Sequence, residues 1–347
     1  MITPERLGEL LEKIPDQSIA LVGDLFLDRY LHIQPGTSEI SIETRLEAYQ
    51  VSTVRNTPGV LGTVMNNLAA LGVGRLAPVS VIGQDGHGDD LLRALAPLPV
   101  DTSRIVRDPA RLTPTYTKPL AQAPEGAWRE LNRLDFRTRA PLDEETIARL
   151  IDHLCDVVGQ CDALVVSDQI VEDDWGVVNR SVREALVELS RDAEEKLIFI
   201  DSRAHIGEFR CGLLKPNVAE CLAATGDANA ESADDDSDEE ARRAALGLFR
   251  KTGRPVFCTR GARGMLVVED DGTVTSVAGY PAGGPIDIVG AGDSATAGVV
   301  TALVAGATPT ESAAVGNLVA SITVAQIGGT GTATAAQVLE RVRQGGK

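Results

Sequence analysis

Short runs of continuous apolar residues recur along this chain, and they constrain its fold more than any other feature. The first, Ser18–Gly23, reads SIALVG. A run of this length without alternation is typical of a strand buried on both faces, as in a parallel sheet. Similar runs lie at residues 76–82, 163–166, 197–200, 213–214 and 255–258. Helical patterns separate them, at residues 60–71, 89–95, 144–158, 174–189 and 239–251. This alternation predicts an α/β fold with a doubly wound, mostly parallel sheet flanked by helices.

Polar residues follow five of these runs: Asp24, Asp168, Asp201, Asn217 and Thr259. Each one alone is typical of a loop start or a helix cap. The carboxyl ends of parallel strands meet at one edge of the sheet, where such folds bind ligands. Five polar residues at that edge indicate a polar ligand with hydroxyls and phosphates.

Two segments interrupt the alternation, at residues 28–52 and 113–133. Both contain alternating, β-prone stretches. One interpretation is a small β lid that covers the ligand crevice and excludes water. The other is a pair of ordinary surface hairpins, and the pattern alone does not choose between them.

Composition excludes several classes of protein. The 347 residues suffice for one large α/β domain or two small ones. A formal net charge of −17 argues against nucleic acid as a partner, because phosphate neutralisation needs clustered Lys and Arg. No apolar run is long enough to span a membrane, and the charged N-terminus is unlike a signal peptide. Five cysteines without metal spacing indicate buried, reduced thiols, and the four histidines are expected at the surface or as caps. We therefore expect a cytoplasmic protein.

The segment 287–298 reads DIVGAGDSATAG and predicts a tight turn followed by a helix to about Ala305. The turn is formed by Gly290, Ala291 and Gly292, and Asp293 follows it. Free N–H groups and the positive end of the helix dipole suit an anion there. Asp293 has two interpretations: an N-cap residue, or a base that takes a proton from a substrate hydroxyl.

Two further motifs also leave alternatives open. Asn217 and Glu220 have the spacing of a capping box, which needs no further function. Their place after a strand, at the expected ligand edge, favours a functional role. The Gly-containing turn at residues 259–265 is either a plain hairpin or a ligand-binding turn. The acidic run at residues 230–240 indicates a solvated loop before a helix capped by Ser237, since its spacing is not that of a calcium loop.

The motif Asp-Ile-Val-Gly-Ala-Gly-Asp-Ser resembles the C-terminal signature of the PfkB/ribokinase family of carbohydrate kinases. The resemblance implies a ribokinase-like kinase domain over residues 1–347, with an anion hole and a catalytic base. These roles fall on Gly290, Ala291, Gly292 and Asp293. It also implies ATP and Mg²⁺ as cofactors, bound by Asn217, Glu220, Thr259, Arg260, Gly261, Gly264 and Asn317. Metal roles fall on Glu220 and on Asp287, near which a monovalent cation such as K⁺ binds in this family.

Within that family the chain is most similar to the heptose-7-phosphate kinase domain of ADP-heptose synthesis proteins. The matching segments include VGDLFLDRY at residues 22–30 and Arg-Leu-Asp-Phe at residues 133–136. The resemblance places these residues near the sugar: Asp24, Asp28, Gly59, Lys118, Arg133 and Asp168. It also implies a homodimer formed through the lid.

The sugar-binding helix start departs from the family pattern. The family's second Gly is Val60 here, its Asn is Thr63, and an Arg of the subgroup is Glu39. The phosphoryl-transfer residues therefore match better than the sugar-binding residues. The leading hypothesis is an ATP-dependent sugar kinase, with heptose 7-phosphate as one candidate acceptor. The alternative is a catalytically weak relative that binds a nucleotide or sugar as a regulator. A nicotinamide dehydrogenase and a P-loop enzyme are excluded because their glycine motifs are absent.

Overall fold

The computed structural model describes residues 2–123, 126–192, 196–226 and 237–344. The helices in these ranges are α1 (Pro4–Leu11), α2 (Leu61–Leu71), α3 (Gly86–Leu95), α4 (Glu144–Val158), α5 (Arg180–Asp192), α6 (Val218–Thr225), α7 (Asp238–Thr252), α8 (Ala291–Val304), α9 (Pro309–Thr323) and α10 (Ala335–Gln344). The strands are β1 (Ser18–Gly23), β2 (Leu25–Ile33), β3 (Glu39–Ile40), β4 (Glu47–Ala48), β5 (Val51–Val60), β6 (Arg75–Gly83), β7 (Ile105–Asp108), β8 (Thr115–Gln122), β9 (Trp128–Glu130), β10 (Leu134–Phe136), β11 (Ala163–Asp168), β12 (Leu197–Ser202), β13 (Leu213–Leu214), β14 (Val256–Thr259), β15 (Met265–Val268) and β16 (Val274–Val277).

The main sheet has nine strands in the order β16-β15-β14-β13-β12-β11-β1-β6-β7. The pairs from β7 to β14 are parallel, whereas β15 and β16 are antiparallel to their neighbours. All six runs predicted as strands belong to it. The predicted α/β fold with a mostly parallel sheet is therefore confirmed.

Helices cover both faces of this sheet, as the continuous apolar runs require. In β1, Ile19 and Leu21 pack into one core with residues of α1, α2, α8, α9 and α10. Ala20 and Val22 point to the opposite core, which α4, α5, α6 and α7 supply. Successive side chains of one strand thus stabilise two separate helix layers.

Helices α8 and α9 pack closely because small residues line their contact. A Cβ added to Gly298 would lie 3.0 Å from the Cα of Gly316. This close packing buries most of α8 directly behind its N-terminal turn. The turn therefore rests on a rigid support.

A second sheet has the order β10-β8-β2-β5, and β9 pairs with β8. Strands β2, β5, β8 and β9 overlap the two segments that interrupt the alternation, whereas β10 lies beyond the second one. The smaller sheet next to the main one agrees with the predicted β lid. Between β2 and β5, the short strands β3 and β4 form a separate two-stranded hairpin.

Some boundaries differ from the sequence predictions. Helix α5 begins at Arg180 rather than at Asp174, because the preceding loop holds a buried carboxylate described below. Asp174 itself has a positive φ of 60° and accepts a hydrogen bond from the Arg180 N–H. Ser237 caps α7 as expected, while residues 230–236 of the acidic run lie outside the described residues. No helix in the described ranges is long and apolar enough to cross a membrane.

Candidate active site

Helix α8 begins at a turn whose N-cap is Gly290, with φ at 78°. This left-handed conformation favours glycine, and the cap supplies no side chain to the first N–H groups. Asp293 is the third residue of the helix, so the N-cap interpretation of this aspartate is wrong. Its carboxylate makes no side-chain hydrogen bond or ion pair with the residues that the structure describes.

Lys215 is buried beneath this turn, at the end of β13. Its Nζ lies 2.9 Å from Asp201 Oδ2. A Cβ added to Gly292 would be 3.6 Å from the same Nζ. Burial alone would lower the pKa of Lys215, but the Asp201 carboxylate, together with Glu220 and Asp293, outweighs it and raises that pKa. The site therefore contains a fixed positive charge next to the Gly-Ala-Gly turn.

Two carboxylic acids of the site have raised pKa values. Burial raises the pKa of Asp293 to about 8, and the Asp201 and Asp28 carboxylates act in the same direction against Lys215. Burial and Asp201 raise the pKa of Glu220 to about 7. Acids with pKa values shifted toward neutrality in a crevice are candidates for proton transfer.

Asn217 and Glu220 form a complete capping box at the start of α6. The Glu220 N–H donates to Asn217 Oδ1 at 2.8 Å, and the Asn217 N–H donates to Glu220 Oε2 at 2.7 Å. The capping interpretation is confirmed. It leaves Glu220 Oε1 without a protein hydrogen bond among the described residues.

The lid sheet contributes a second cluster, formed by Asp28, Lys118 and Tyr30. Lys118 Nζ lies 2.9 Å from Asp28 Oδ1 and 3.4 Å from Tyr30 Oη. A Cβ on Gly59 would meet Asp28 Oδ2 at 2.6 Å, so a side chain there would displace this carboxylate. The effect of Asp28 on the pKa of Asp293 shows that the cluster lies within electrostatic reach of α8.

Asp24 and Asp168 are buried and bonded inside the protein. Asp24 accepts hydrogen bonds from the N–H groups of Gln169, Ile170 and Val177. Asp168 Oδ2 accepts from Ser202 Oγ at 2.7 Å and lies 3.1 Å from His205 Nδ1. Both carboxylates hold together the loops at the carboxyl edge of the sheet. The expected surface location of His205 is wrong, since the residue is buried; it stands at the start of a short 3-10 turn, but its side chain bonds to Asp168 rather than capping that turn. The Asp168 hydrogen bond raises the pKa of His205 to about 9.

A cleft of about 130 Å³ lies between the lid and this edge. Phe26 and Tyr116 line it from the lid, and Arg137 and Arg203 line it as well. Arg133 is outside the lining: its guanidinium pairs with Asp135 at 2.6 Å and covers the Tyr116 ring at 4.3 Å.

The junction of β5 and α2 carries the departures from the family pattern. Val60 has φ 58° and ψ −114°, a conformation that strains a β-branched residue. The next turn brings Thr63 against the Gly-Ala-Gly turn, since its methyl lies 3.1 Å from where a Cβ on Gly290 would be.

A larger apolar cavity of about 320 Å³ lies at the start of α8 and along α9. Its lining includes Gly261, Ala262, Ile286, Ile288 and Asn317. Asn317 donates its amide to the carbonyls of Val277 and Ala278, so it supports the cavity wall.

The turn between β14 and β15 forms one wall of this cavity. It is a hairpin: Thr259 pairs with Met265, and the Arg260 N–H donates to the Gly264 carbonyl. Gly264 cannot carry a Cβ, which would lie 2.2 Å from the Val277 carbonyl. The Arg260 side chain points away from the cavity, to Asp238 and Ser276.

Asp287 organises the loop before the Gly-Ala-Gly turn. Its carboxylate accepts hydrogen bonds from the Val289 N–H at 3.1 Å and the Gly328 N–H at 3.2 Å. Among the described residues, no group of three or more His, Cys, Asp or Glu could hold a metal ion.

The family model described as "pfkB family carbohydrate kinase" matches residues 36–336. The chain belongs to this family. The match includes β5, the α6 capping box, the apolar cavity and the turn that carries Asp293.

Curated relatives include proteins named "Bifunctional protein HldE". One from Bradyrhizobium sp. (strain ORS 278) is 28% identical over 335 residues, covering 96% of this chain and 65% of the relative. Another, from Desulfatibacillum aliphaticivorans, is 30% identical over 312 residues and covers 89% and 60%. The chain thus spans less than two thirds of the length of these relatives.

Solved structures support the fold. Arabidopsis thaliana ribokinase, complexed with ribose and ATP, has a TM-score of 0.65 at 16% identity, covering 94% of this chain and 99% of that one. Phosphofructokinase-2 from Escherichia coli, in complex with potassium, has a TM-score of 0.68 at 19% identity and covers 95% and 100%. The chain is therefore a ribokinase-like carbohydrate kinase in fold and family.

Two residues of the site, Lys215 and Arg203, were not predicted from the sequence. Lys215 directly follows the apolar pair Leu213–Leu214, and a lysine at a buried strand end needs a carboxylate partner. That signal could have paired it with Asp201. Nothing local marks Arg203, which lines the cleft only through the fold of the loop after β12.

Proposed function

We propose that this chain is an ATP-dependent kinase that transfers the γ-phosphoryl group to a hydroxyl of a sugar or sugar phosphate. The observation that best supports this is the unbonded Asp293 carboxylate, three residues after the left-handed Gly290. A base needs a free carboxylate, and a transferred phosphoryl group needs the N–H groups of such a turn.

In this proposal Asp293 accepts the proton of the acceptor hydroxyl. Asp28, within electrostatic reach, orients the acceptor beside it. Because the pKa of Asp293 is about 8, the ionised base becomes more populated as the pH rises toward 8. Acceptor-dependent kcat/KM should rise over the same range.

Charge on the transferred group is stabilised by the N–H groups of Gly290, Ala291 and Gly292, together with the Lys215 ammonium. Phosphoryl transfer depends mainly on positioning and charge stabilisation of this kind. The closeness of Lys215 Nζ to Gly292 supports this assignment.

The apolar cavity beside α8 suits the base of ATP, with Ile286 and Ile288 as exposed apolar walls. The backbone of Thr259, Gly261 and Gly264 would meet the nucleotide, and the side chain of Arg260 would not.

Bound Mg²⁺ would neutralise phosphate charge. Glu220 Oε1 and Asn217 are the groups that would hold it. A divalent cation would relieve the repulsion that raises the pKa of Glu220. A K⁺ ion near Asp287 stays a prediction. The Asp287 carboxylate already accepts hydrogen bonds from two N–H groups.

For the acceptor we propose a phosphorylated sugar, with heptose 7-phosphate as the first candidate. Asp28, Lys118 and Gly59 would contact its hydroxyls. Arg137 and Arg203 line the cleft together with Phe26 and Tyr116 of the lid, and guanidinium groups suit a phosphate. Glu172 also lines the cleft, so two arginines against one carboxylate leave the lining positive in a chain with a net charge of −17.

The strained Val60 and the substituted Thr63 favour one other candidate, a weakly catalytic relative that binds a nucleotide or sugar as a regulator. The free Asp293 carboxylate and the intact turn argue against it.

The test is coupled ADP release with Mg·ATP over matched pairs of acceptors. The pairs are heptose and heptose 7-phosphate, fructose and its phosphates, and ribose and its phosphates, with an acceptor-free blank. Turnover above the blank with phosphorylated members supports both parts of the proposal. Turnover with unphosphorylated sugars alone overturns the phosphate assignment. ATP binding without turnover on any acceptor favours the regulatory candidate.

We also propose that the chain forms a homodimer through the lid. The hairpin of β3 and β4 exposes Ile40, Ile42, Leu46 and Tyr49, and Val54 continues this surface on β5. Apolar patches of this kind commonly mark protein contacts.

A further inference from the structure

Arg55 lies where the lid meets the C-terminal part of the chain. It is on β5, directly across from Tyr30 on β2. Its guanidinium carbon lies 3.9 Å above the centre of the Tyr30 ring. Its Nη2 donates a hydrogen bond of 2.9 Å to the Gly328 carbonyl. One side chain thus contacts both the lid and the loop after α9.

On the lid side, Arg55 is connected to the proposed acceptor cluster. The Tyr30 ring beneath it carries the hydroxyl that faces Lys118, and Lys118 pairs with Asp28. A change in how an acceptor contacts Asp28 and Lys118 would therefore be transmitted to Tyr30 and Arg55 through direct contacts.

On the other side, the loop 328–331 packs against the Gly290 turn. The Gly328 N–H donates to Asp287 Oδ2, and the Gly331 carbonyl accepts from Asn67 Nδ2 at 3.3 Å. The Thr330 methyl lies 3.0 Å from where a Cβ on Gly290 would be. The position of this loop therefore limits the position of the turn.

We propose that Arg55 is a positioning residue that ties the lid to the loop 328–331 and so holds the Gly290 turn in place when the lid covers the acceptor. This inference rests on the proposed kinase function. A guanidinium can do both tasks because it stacks on a ring and donates in its plane. Without that tie, ATP and acceptor still bind, but the turn is held less well during transfer. Water then competes with the acceptor for the phosphoryl group.

The test compares Arg55→Met, which keeps an apolar stem without donors, with Arg55→Lys, which keeps the charge. Arg129→Met on exposed β9 is the matched lid control. Hydrogen exchange over residues 324–332 reports the tie without any need for turnover. Steady-state kinetics with Mg·ATP and the best acceptor report its effect on transfer.

We expect faster exchange of the loop in Arg55→Met, with β1 and β11 unchanged. We expect kcat to fall about 10- to 100-fold, with less than about a twofold change in KM for ATP, and ADP release to exceed acceptor phosphorylation. Arg55→Lys should recover part of the kcat, and Arg129→Met should match the wild type.

Unchanged loop exchange in Arg55→Met, or a kcat equal to that of Arg129→Met, would overturn the inference. A lowered melting temperature of Arg55→Met with a normal kcat would show that Arg55 has only a structural role, and this result would also overturn the inference. If the wild type shows no acceptor-dependent turnover, the kinase proposal fails and the catalytic half of this inference fails with it. The exchange arm still decides, separately, whether Arg55 holds the loop.

Discussion

At Lys215, one buried ammonium lies against both Asp201 and the turn that precedes Asp293. Its loss would remove the positive charge closest to the proposed phosphoryl group. It would also leave Asp201, only 8% exposed, without its cation. The two consequences can be separated by substitution.

We expect Lys215→Met to lower kcat by about 10²–10³-fold and to destabilise the fold by about 3–5 kcal/mol. The double variant Asp201→Asn/Lys215→Met should recover most of the stability and none of the turnover. Denaturant titration and ADP release on the same preparations measure both. Recovery of turnover in the double variant would contradict a role for Lys215 in charge stabilisation.

The raised pKa of Asp293 predicts a pH-dependent cost to stability. Between its ordinary value of 3.8 and about 8, the folded chain keeps a proton that the unfolded chain has lost. The free energy of unfolding therefore falls as pH rises through that window. Asp293→Asn removes this fall. Its melting temperature should exceed that of the wild type by an amount that grows from pH 4 to pH 8. A pH-independent difference would show that the pKa is not raised.

At the scale of elements, the sequence predicted the sheet and most helices but not the details of their junctions. Continuous apolar runs such as Ser18–Gly23 predict buried strands without reference to the rest of the chain. The start of α5 depends instead on Asp24, some 150 residues away, whose carboxylate takes the Val177 N–H. Arg203 could not be predicted as a site residue for the same reason, because tertiary contacts set the position of its loop. The Gly-Ala-Gly turn before Asp293 was predictable because its glycines and acid are contiguous.

The junction of β5 and α2 is the strained element of this fold. Val60→Gly should relieve the strain of the positive φ at this position. The resulting gain in the free energy of unfolding should exceed the entropic cost of glycine by roughly 1 kcal/mol. Thermal and denaturant unfolding measure the change, with Val64→Gly within α2 as the control that should destabilise. A loss of stability in Val60→Gly similar to that control would contradict the strain.

On the scale of the whole molecule, the lid hairpin groups several exposed apolar side chains on one surface, among them the most exposed large one of the described chain, Ile42. Ile42 is 84% exposed and Leu46 69% exposed. We expect the wild type to sediment as a dimer and Ile42→Asp to sediment as a monomer. Leu112→Asp, at an exposed position outside the hairpin, should stay dimeric. A monomeric wild type at micromolar concentration would contradict association through the lid.

The central claim is that Asp293 takes the proton while the Gly290 turn holds the phosphoryl group. Its most direct test is the transfer of label from γ-labelled ATP to the best acceptor, for the wild type and Asp293→Asn. Both proteins must first show equal ATP affinity and cooperative unfolding. We expect Asp293→Asn to transfer label about 10²–10⁴-fold more slowly. Transfer within a fewfold of the wild type would contradict the account.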